Sequence, residues 1–191
     1  MTGVDEVAVL RLVAAAKQGD AMAFGRIFDI YHGRVHRYIV AHTHNPADAE
    51  DLTQVVFLKA LEALPRYEAR GIPFGGWLFR LARNTVIDHA RTHREHADLD
   101  AVVERPGNQP EPGAHVVAGE EIEAVGQALA ALTDEQREAI ELRFFAGLSA
   151  REAAAAMGRQ EGTVRGLQFR AIAALRRHLG LAAGNDKDRR R

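Results

Sequence analysis

Apolar residues recur at three- and four-residue spacing along the first half of the chain, and this spacing is typical of amphipathic helices. Capping residues, prolines and glycines divide the pattern into four segments. The predicted helices are Asp5–Lys17, Asp20–His42, Asn45–Leu64 and Gly76–His96. Residues 66–76 contain Pro73 and three glycines, and this composition predicts a loop before the fourth helix.

The periodicity fails between residues 97 and 119, where three prolines and two glycines fall within 106–113. This composition cannot form a packed element and predicts a flexible linker. Helical spacing returns in the second half, where Thr133 and Ser149 each begin a capping-box pattern. The predicted helices there are 120–131, 133–146, 150–157 and 162–179.

No alternating apolar and polar run of useful length appears, so the pattern gives no support for strands. We predict an all-α protein of two small helical domains joined by a flexible linker. The predicted boundaries are 1–96 for the first domain, 97–119 for the linker, 120–180 for the second domain and 181–191 for a polar tail.

Composition excludes several classes of protein. The 191 residues are 47% hydrophobic and 27% charged, which is unlike a disordered or fibrous chain. Cysteine is absent, which removes disulfides, thiol catalysis and cysteine-ligated zinc. No apolar run approaches the ~20 residues of a membrane helix. The first ten residues carry Asp5 and Glu6 rather than a basic flank, so we expect a cytoplasmic protein.

The net charge of −1 conceals an uneven distribution of charge. Residues 98–123 hold seven acids and one arginine, whereas residues 80–94 hold four arginines and one acid. Residues 159–177 are also rich in arginine. Two basic patches separated by an acidic connector suggest two anion-binding surfaces, although two solvated helix faces would give the same pattern.

The strongest local signal is a helix-turn-helix pattern in the second half, formed by the short helix 150–157, Gly158 and the helix 162–179. Arg165 and Gln168 lie on its polar face, and these side-chain types read guanine and adenine edges. Arg159 and Arg170 are better placed for phosphates. The alternative is a plain helical hairpin with a basic solvated face.

Two further surfaces lie in the first half. Acids crowd the start of the third helix, where the helix dipole favours them, but a basic protein partner would also fit. The fourth helix brings aromatic, basic and amide side chains together at three- and four-residue spacing, which suits single-stranded nucleic acid. The alternative for Trp77 and Phe74 is a position in the core.

Catalysis and metal binding have little support. The pairs His32/His36 and His89/His93 have helical spacing, but neither pair has the glutamate of a helical zinc-hydrolase motif. The sequence offers no phosphate-binding glycine loop and no nucleophile–base pair. We therefore expect no catalytic residues, no metal, no cofactor and no small-molecule substrate, and we expect that the protein is not an enzyme.

Three blocks resemble bacterial RNA polymerase sigma factors. Ala47–Leu61 resembles the region 2 helix, and Trp77–Arg91 resembles the promoter-facing helix that follows it. Gln136–Phe144 and Glu161–Arg165, with Arg170-Ala171, resemble region 4. The resemblance covers about residues 5–96 and 120–180, with no further domain between, and this is similar to the compact extracytoplasmic-function (ECF) group.

The resemblance implies a role for each block. The implied contacts with the clamp of the largest polymerase subunit are Asp48, Glu50, Asp51 and Gln54. The implied −10 contacts, where a flipped base is captured and the non-template strand held, are Arg66, Tyr67, Phe74, Trp77, Arg80, Arg83, Asn84, Asp88 and Arg91. The implied −35 contacts are Arg159, Thr163, Arg165, Gly166, Gln168, Phe169 and Arg170.

The resemblance also implies partners. They are core RNA polymerase, through its largest and second-largest subunits, promoter DNA, and an anti-sigma factor that holds the protein inactive.

Gly166 departs from the small polar residue common in the family. The acidic linker could mimic RNA in an exit channel or hold the basic domains when polymerase is absent. The rival hypotheses are a stand-alone helix-turn-helix regulator and a metal-dependent hydrolase.

Overall fold

The computed structural model describes residues 5–43, 45–69, 71–99 and 126–180, and for 93–99 it describes the backbone alone. The predicted linker beyond residue 99 and the predicted tail at 181–191 lie outside these residues, and so do both hypotheses about the acidic linker. The domain boundaries therefore remain predictions.

Four helices form the first bundle: α1 (Glu6–Lys17), α2 (Ala21–Thr43), α3 (Pro46–Ala63) and α4 (Phe74–Leu99). A 3-10 turn, Leu64–Arg66, follows α3. The side chains of Asp5, Asp20 and Asn45 accept hydrogen bonds from the first turns of α1, α2 and α3, as capping residues do. Helix α4 begins two residues before the predicted start, because its first glycines are helical rather than part of the loop.

The second bundle contains α5 (126–130), α6 (Asp134–Ile140), α7 (Ala150–Met157) and α8 (Glu161–His178). A π-helical turn, Glu141–Phe145, continues α6. Both predicted capping boxes are present, at Thr133 with Gln136 and at Ser149 with Glu152. Within the described ranges there is no strand, and no helix is long and apolar enough to span a membrane.

One hydrophobic cluster extends across both bundles, and a second, smaller cluster lies within the second bundle. Buried residues of α2 and α4 pack in the same cluster as buried residues of the π turn, α7 and α8. The fully buried side chains at the centre include Val35, Ile39, Phe79, Leu142 and Leu148. The sequence pattern indicated a core for each bundle but gave no sign that the bundles pack together.

Two glycines allow the closest approach between the bundles. A Cβ atom on Gly76 would lie 2.6 Å from the Cβ of Ala155 and 2.8 Å from the carbonyl oxygen of Glu152. A Cβ on Gly75 would meet Glu152 Oε1. A side chain on Gly76 would therefore force α4 away from α7, because it would meet the backbone of α7, whereas a side chain on Gly75 would meet the end of a flexible glutamate. The glycines that suggested a loop therefore belong to a helix that must pack closely.

Arginines of α2 complete the seam between the bundles. Arg34 donates hydrogen bonds to the carbonyl oxygens of Ala146 (2.7 Å) and Gly147 (2.9 Å), and Arg37 donates to that of Phe145 (3.2 Å). These carbonyls lie at the end of the π turn, where helix carbonyls lack partners of their own. The first bundle therefore caps a helix of the second.

Candidate functional site

The outer face of α3 carries an exposed stripe, here called the α3 stripe, of mixed polar and apolar side chains. Its members, at helical spacing, are Asp51, Gln54, Val55, Leu58 and Leu61. Leu58 is 60% exposed and Leu61 is 49% exposed. Within the described part of the chain, Asp51 and Gln54 make no side-chain hydrogen bond or ion pair. The sequence indicated the two polar members and missed the three apolar ones, although their spacing from Asp51 gave the signal.

The other two predicted polymerase contacts have partners within the first bundle. Asp48 accepts a hydrogen bond from Asn45 Nδ2 (2.9 Å) and lies 3.8 Å from His89 Nε2. Glu50 lies 3.7 Å from His36 Nε2. Asp48 therefore faces α4, and Glu50 faces α2, whereas the stripe faces solvent.

The predicted aromatic contacts of the −10 region form a cluster between the 3-10 turn and the start of α4. Tyr67 is 5% exposed and Phe74 is 1% exposed, and Trp77 is partly buried against the same core. The ring centroid of Trp77 lies 5.0 Å from that of Tyr67 and 5.3 Å from that of Phe74. The hydroxyl of Tyr67 donates to the carbonyl of Ile72. The rings of Tyr67 and Phe74 are thus covered, whereas Arg66 is exposed.

The outer face of α4, here called the α4 face, keeps most of its predicted DNA contacts exposed. Arg80, Asn84, Asp88 and Arg91 are all exposed and fall on one side of the helix. Arg91 and Asp88 form an ion pair of 3.6 Å on this surface. These exposed side chains are accessible to a DNA strand that lies along α4.

Arg83 differs because it faces the second bundle. Its guanidinium forms a bidentate ion pair with Glu138 of α6, and the Glu138 carboxylate is mostly buried. The hydrogen bond to Glu138 raises the pKa of Arg83 above its ordinary value. In this arrangement one predicted −10 contact therefore holds the bundles together.

A second polar pair crosses the same interface. His42 Nε2 lies 3.0 Å from Glu141 Oε2, and its Nδ1 lies 2.8 Å from the carbonyl oxygen of Tyr38. An imidazolium can donate to both acceptors, but a neutral ring can donate to only one. Burial disfavours the charged ring, but the hydrogen bond to Glu141 and its charge outweigh burial and raise the pKa of His42.

The predicted −35 contacts lie on and around α8. Its buried stripe of Val164, Leu167 and Ala171 packs inward, as the spacing predicted. Phe169 is 77% exposed, and Thr163 and Arg170 are also exposed. A Cβ on Gly166 would meet Arg170 Nη1 at 3.5 Å, which is ordinary contact, so a small side chain would fit there.

Acids of the second bundle already hold two of these arginines. Arg165 donates to Glu161 Oε1 from Nε (3.0 Å) and from Nη2 (2.6 Å). Arg159 lies 2.5 Å from Glu135 Oε1. Sequence reasoning missed both acids, although Glu161 lies four residues before Arg165, a spacing that pairs side chains on a helix.

Gln168 is also engaged. Its Oε1 accepts a hydrogen bond of 3.0 Å from Nε of Arg143, a residue of the π turn. Nothing in the sequence marked Arg143 as a neighbour of α8, because the two residues meet only through the tertiary fold.

The histidine pairs do not form a metal site within the described residues, which hold no group of three or more metal-ligating side chains. His32 packs on the rings of Phe28 and Phe57 and stacks on His36. His89 lies 3.8 Å from Asp48, and the side chain of His93 is not among those that the structure describes.

Comparison with known proteins gives a consistent result. The chain matches the family models Sigma-70 region 2 over residues 27–96 and Sigma-70, region 4 over residues 128–177. It is 37% identical to the ECF RNA polymerase sigma factor BldN of Streptomyces coelicolor, over 92% of this chain and 67% of that protein. It is 35% identical to the ECF RNA polymerase sigma factor SigC of Mycobacterium tuberculosis, over 91% of this chain and 92% of that protein.

Two solved structures have a similar fold. CnrH in complex with the cytosolic domain of CnrY superimposes with a TM-score of 0.68 at 27% identity, over 92% of this chain and 99% of that chain. The sigma factor RpoE of Bartonella quintana, in complex with the anti-sigma factor NepR, gives a TM-score of 0.61 at 28% identity, over 84% of this chain and 98% of that chain.

Proposed function

This chain belongs to the ECF sigma factors of the sigma-70 family, and from that premise we propose which of its surfaces binds polymerase and which read the promoter. Sigma factors are transcription initiation factors: they join core RNA polymerase, recognise promoter DNA and start transcription. The proposal assigns the α3 stripe to polymerase, the α4 face to the −10 element and α8 to the −35 element.

The α3 stripe suits a protein partner. It combines three exposed apolar side chains with a carboxylate and an amide that have no partner among the described residues. Apolar side chains supply the desolvated centre of a protein interface, and an unpaired acid fixes the register of a basic partner. Asp51 and Gln54 therefore contact the polymerase clamp, and Asp48 and Glu50 support this helix through their own contacts.

The α4 face suits a single strand. Arg80 and Arg91 are exposed for the backbone, and Asn84 lies between them to read a base. Arg66 is exposed at the end of the 3-10 turn and contacts the extruded base, whereas the covered rings of Tyr67 and Phe74 support this region from beneath. A closely fitting pocket can make melting sequence-selective, because base flipping costs a few kcal/mol.

Helix α8 suits the major groove. Arg165 and Gln168 offer hydrogen bonds to base edges, and Phe169 offers an apolar contact to a thymine methyl group. Arg159, Thr163 and Arg170 lie at the margins, where they contact phosphates.

An anti-sigma factor fits the packed arrangement of the two bundles. The similar CnrH and RpoE structures hold a bound partner, which for RpoE is an anti-sigma factor. We propose that such a partner also restrains this chain, in the cytoplasm where polymerase works.

The polymerase assignment rests on one observation, that the α3 stripe exposes both polar and apolar side chains. The test is fluorescence anisotropy of the labelled chain titrated with bacterial core RNA polymerase, without DNA. Saturable binding at nanomolar concentration is the expected result. If the folded chain does not bind core polymerase but binds palindromic duplex as a dimer, the protein is a stand-alone regulator and the proposal is wrong.

A further inference from the structure

The half-buried contact between Arg143 and Gln168 joins the π turn to the proposed recognition helix. Arg143 Nε donates to Gln168 Oε1 at 3.0 Å, and a second nitrogen of the same guanidinium donates to the carbonyl of Leu148. The guanidinium of Arg143 therefore has two partners, Gln168 and the Leu148 carbonyl. A group fixed in this way can hold the side chain that it contacts in one orientation.

The chemistry of the pair settles which way the amide of Gln168 is turned. A guanidinium can only donate hydrogen bonds, so its partner must be the amide oxygen. The oxygen is then directed at Arg143, and the amide nitrogen with its two N–H groups is left for solvent or DNA. Gln168 on this helix is thus presented as a donor.

This orientation changes the base that Gln168 can read. A free glutamine reads adenine with both ends of its amide, donating to N7 and accepting from N6. A glutamine whose oxygen is directed at Arg143 presents its amide nitrogen to the base. The second lone pair of the oxygen lies beside a positive guanidinium, which disfavours a second donor such as adenine N6. Guanine presents two acceptors, N7 and O6, at the same edge.

We propose that Arg143 is a positioning residue that turns Gln168 into a donor and so makes this position of α8 select guanine over adenine. The inference rests on the proposed role of α8 at the −35 element. Arg165 contributes separately, because its partner is Glu161 and not Arg143.

The experiment uses the full chain bound to core RNA polymerase and a library of promoter duplexes randomised across the upstream element. Sequencing the retained duplexes gives the base preference at each pair. Gln168→Leu identifies the pair that Gln168 reads, because preference is lost there alone. At that pair the wild-type complex should prefer guanine to adenine by about fivefold to tenfold.

Two variants of Arg143 then test its role. Arg143→Met frees the amide, so adenine should gain about fivefold or more over guanine at the same pair. Arg143→Lys keeps a donor toward the amide oxygen and should retain the guanine preference. Arg177→Met, at an exposed arginine of α8, is the matched control and should leave the profile unchanged. Thermal unfolding of each variant separates a change of preference from a loss of folding.

Three outcomes would overturn the inference. Adenine could be preferred by the wild type at the Gln168 pair, the profile could be the same in Arg143→Met and wild type, or Gln168→Leu could leave every preference intact. Each of these results leaves the role of α8 at the −35 element standing. A wild-type complex that selects no upstream sequence would instead contradict the proposed function itself.

Discussion

The α3 stripe and the DNA-facing side chains of the same molecule differ in what they already contact. Asp51 and Gln54 have no partner among the described residues, and the apolar stripe members face solvent. In contrast, Arg83, Arg159 and Arg165 are each paired with a glutamate. The proposed polymerase surface is therefore available as the structure stands, whereas several of the proposed DNA contacts must first exchange an internal carboxylate for a phosphate or base.

The difference suggests an order of events. Exposed ion pairs are worth about 0–1 kcal/mol each, so DNA can displace Glu135 and Glu161 at small cost. The pair Arg83–Glu138 is more buried and lies between the bundles, so we expect its release to cost more than the release of an exposed pair. Polymerase binding needs no such exchange. It can therefore precede DNA binding.

The largest effect should come from reversing charge on the stripe. Asp51→Arg should weaken binding to core polymerase about a hundredfold or more, because a like charge then faces the basic partner. Anisotropy titration without DNA measures the change. Asp29→Arg, at an exposed acid of α2, is the matched control and should bind normally. Equal affinities for the two variants would remove the stripe from the polymerase interface.

The next largest effect should come from removing a proposed base contact on α8. Arg165→Ala should reduce −35 discrimination by ~1–3 kcal/mol per lost base contact, because a bidentate donor is removed. Competition between promoter and mutated duplexes, with the chain bound to core polymerase, measures the loss. Affinity for polymerase itself should not change. A parallel loss of both would show that the two surfaces are not separate.

The interface between the bundles can be strained directly. Gly76→Ala should destabilise the packed arrangement by about 1–3 kcal/mol, because its Cβ would overlap α7. Distance measurement between fluorophores on α2 and α8 should show an increased separation. Gly25→Ala is the matched control, since a Cβ there meets nothing within 4 Å. An unchanged distance in Gly76→Ala would contradict the close packing of α4 on α7.

The interface should also respond to pH. The folded pKa of His42 is raised above 6.5, so its pairing with Glu141 stabilises the packed arrangement fully below pH 6.5 and is lost as pH rises through the folded pKa. Wild-type stability should therefore fall over this window by about 1 kcal/mol, the size of one hydrogen bond. Chemical unfolding of wild type and His42→Gln at several pH values tests this. Parallel profiles would show that His42 does not contribute.

The smallest effect should come from releasing one internal carboxylate. Glu161→Gln frees Arg165 from an exposed ion pair, so the free chain should bind duplex DNA about twofold more tightly, as expected for a pair worth a few tenths of a kcal/mol. Fluorescence titration of the free chain with duplex DNA at low salt measures this affinity. Asp29→Asn, at an exposed acid of α2, serves as the control for lost charge.

Much of the fold could be predicted from local signals. The capping residues Asn45, Thr133 and Ser149 mark helix starts that the structure confirms, because a cap depends on a few neighbouring residues. The predicted start of α4, Gly76, was wrong by two residues, because the helix begins at Phe74. Gly75 and Gly76 suggested a loop, and only the presence of α7 explains why glycine is needed in that helix.

The site was predicted less completely, for the same physical reason. Residue type and spacing indicated Arg165 and Gln168, but their partners Glu161 and Arg143 determine what each can offer to DNA. The burial of Tyr67 and Phe74 likewise depends on how the 3-10 turn packs against the start of α4. Contacts between residues far apart in the chain are set by packing, which a single sequence does not display.

The most direct test of the account is one promoter duplex titrated with the free chain and with the chain bound to core polymerase, at the same salt concentration. The account predicts weak, salt-sensitive and unselective binding by the free chain, and selective binding by the complex. Selective binding by the free chain, equal in affinity and base preference to the complex, would contradict it.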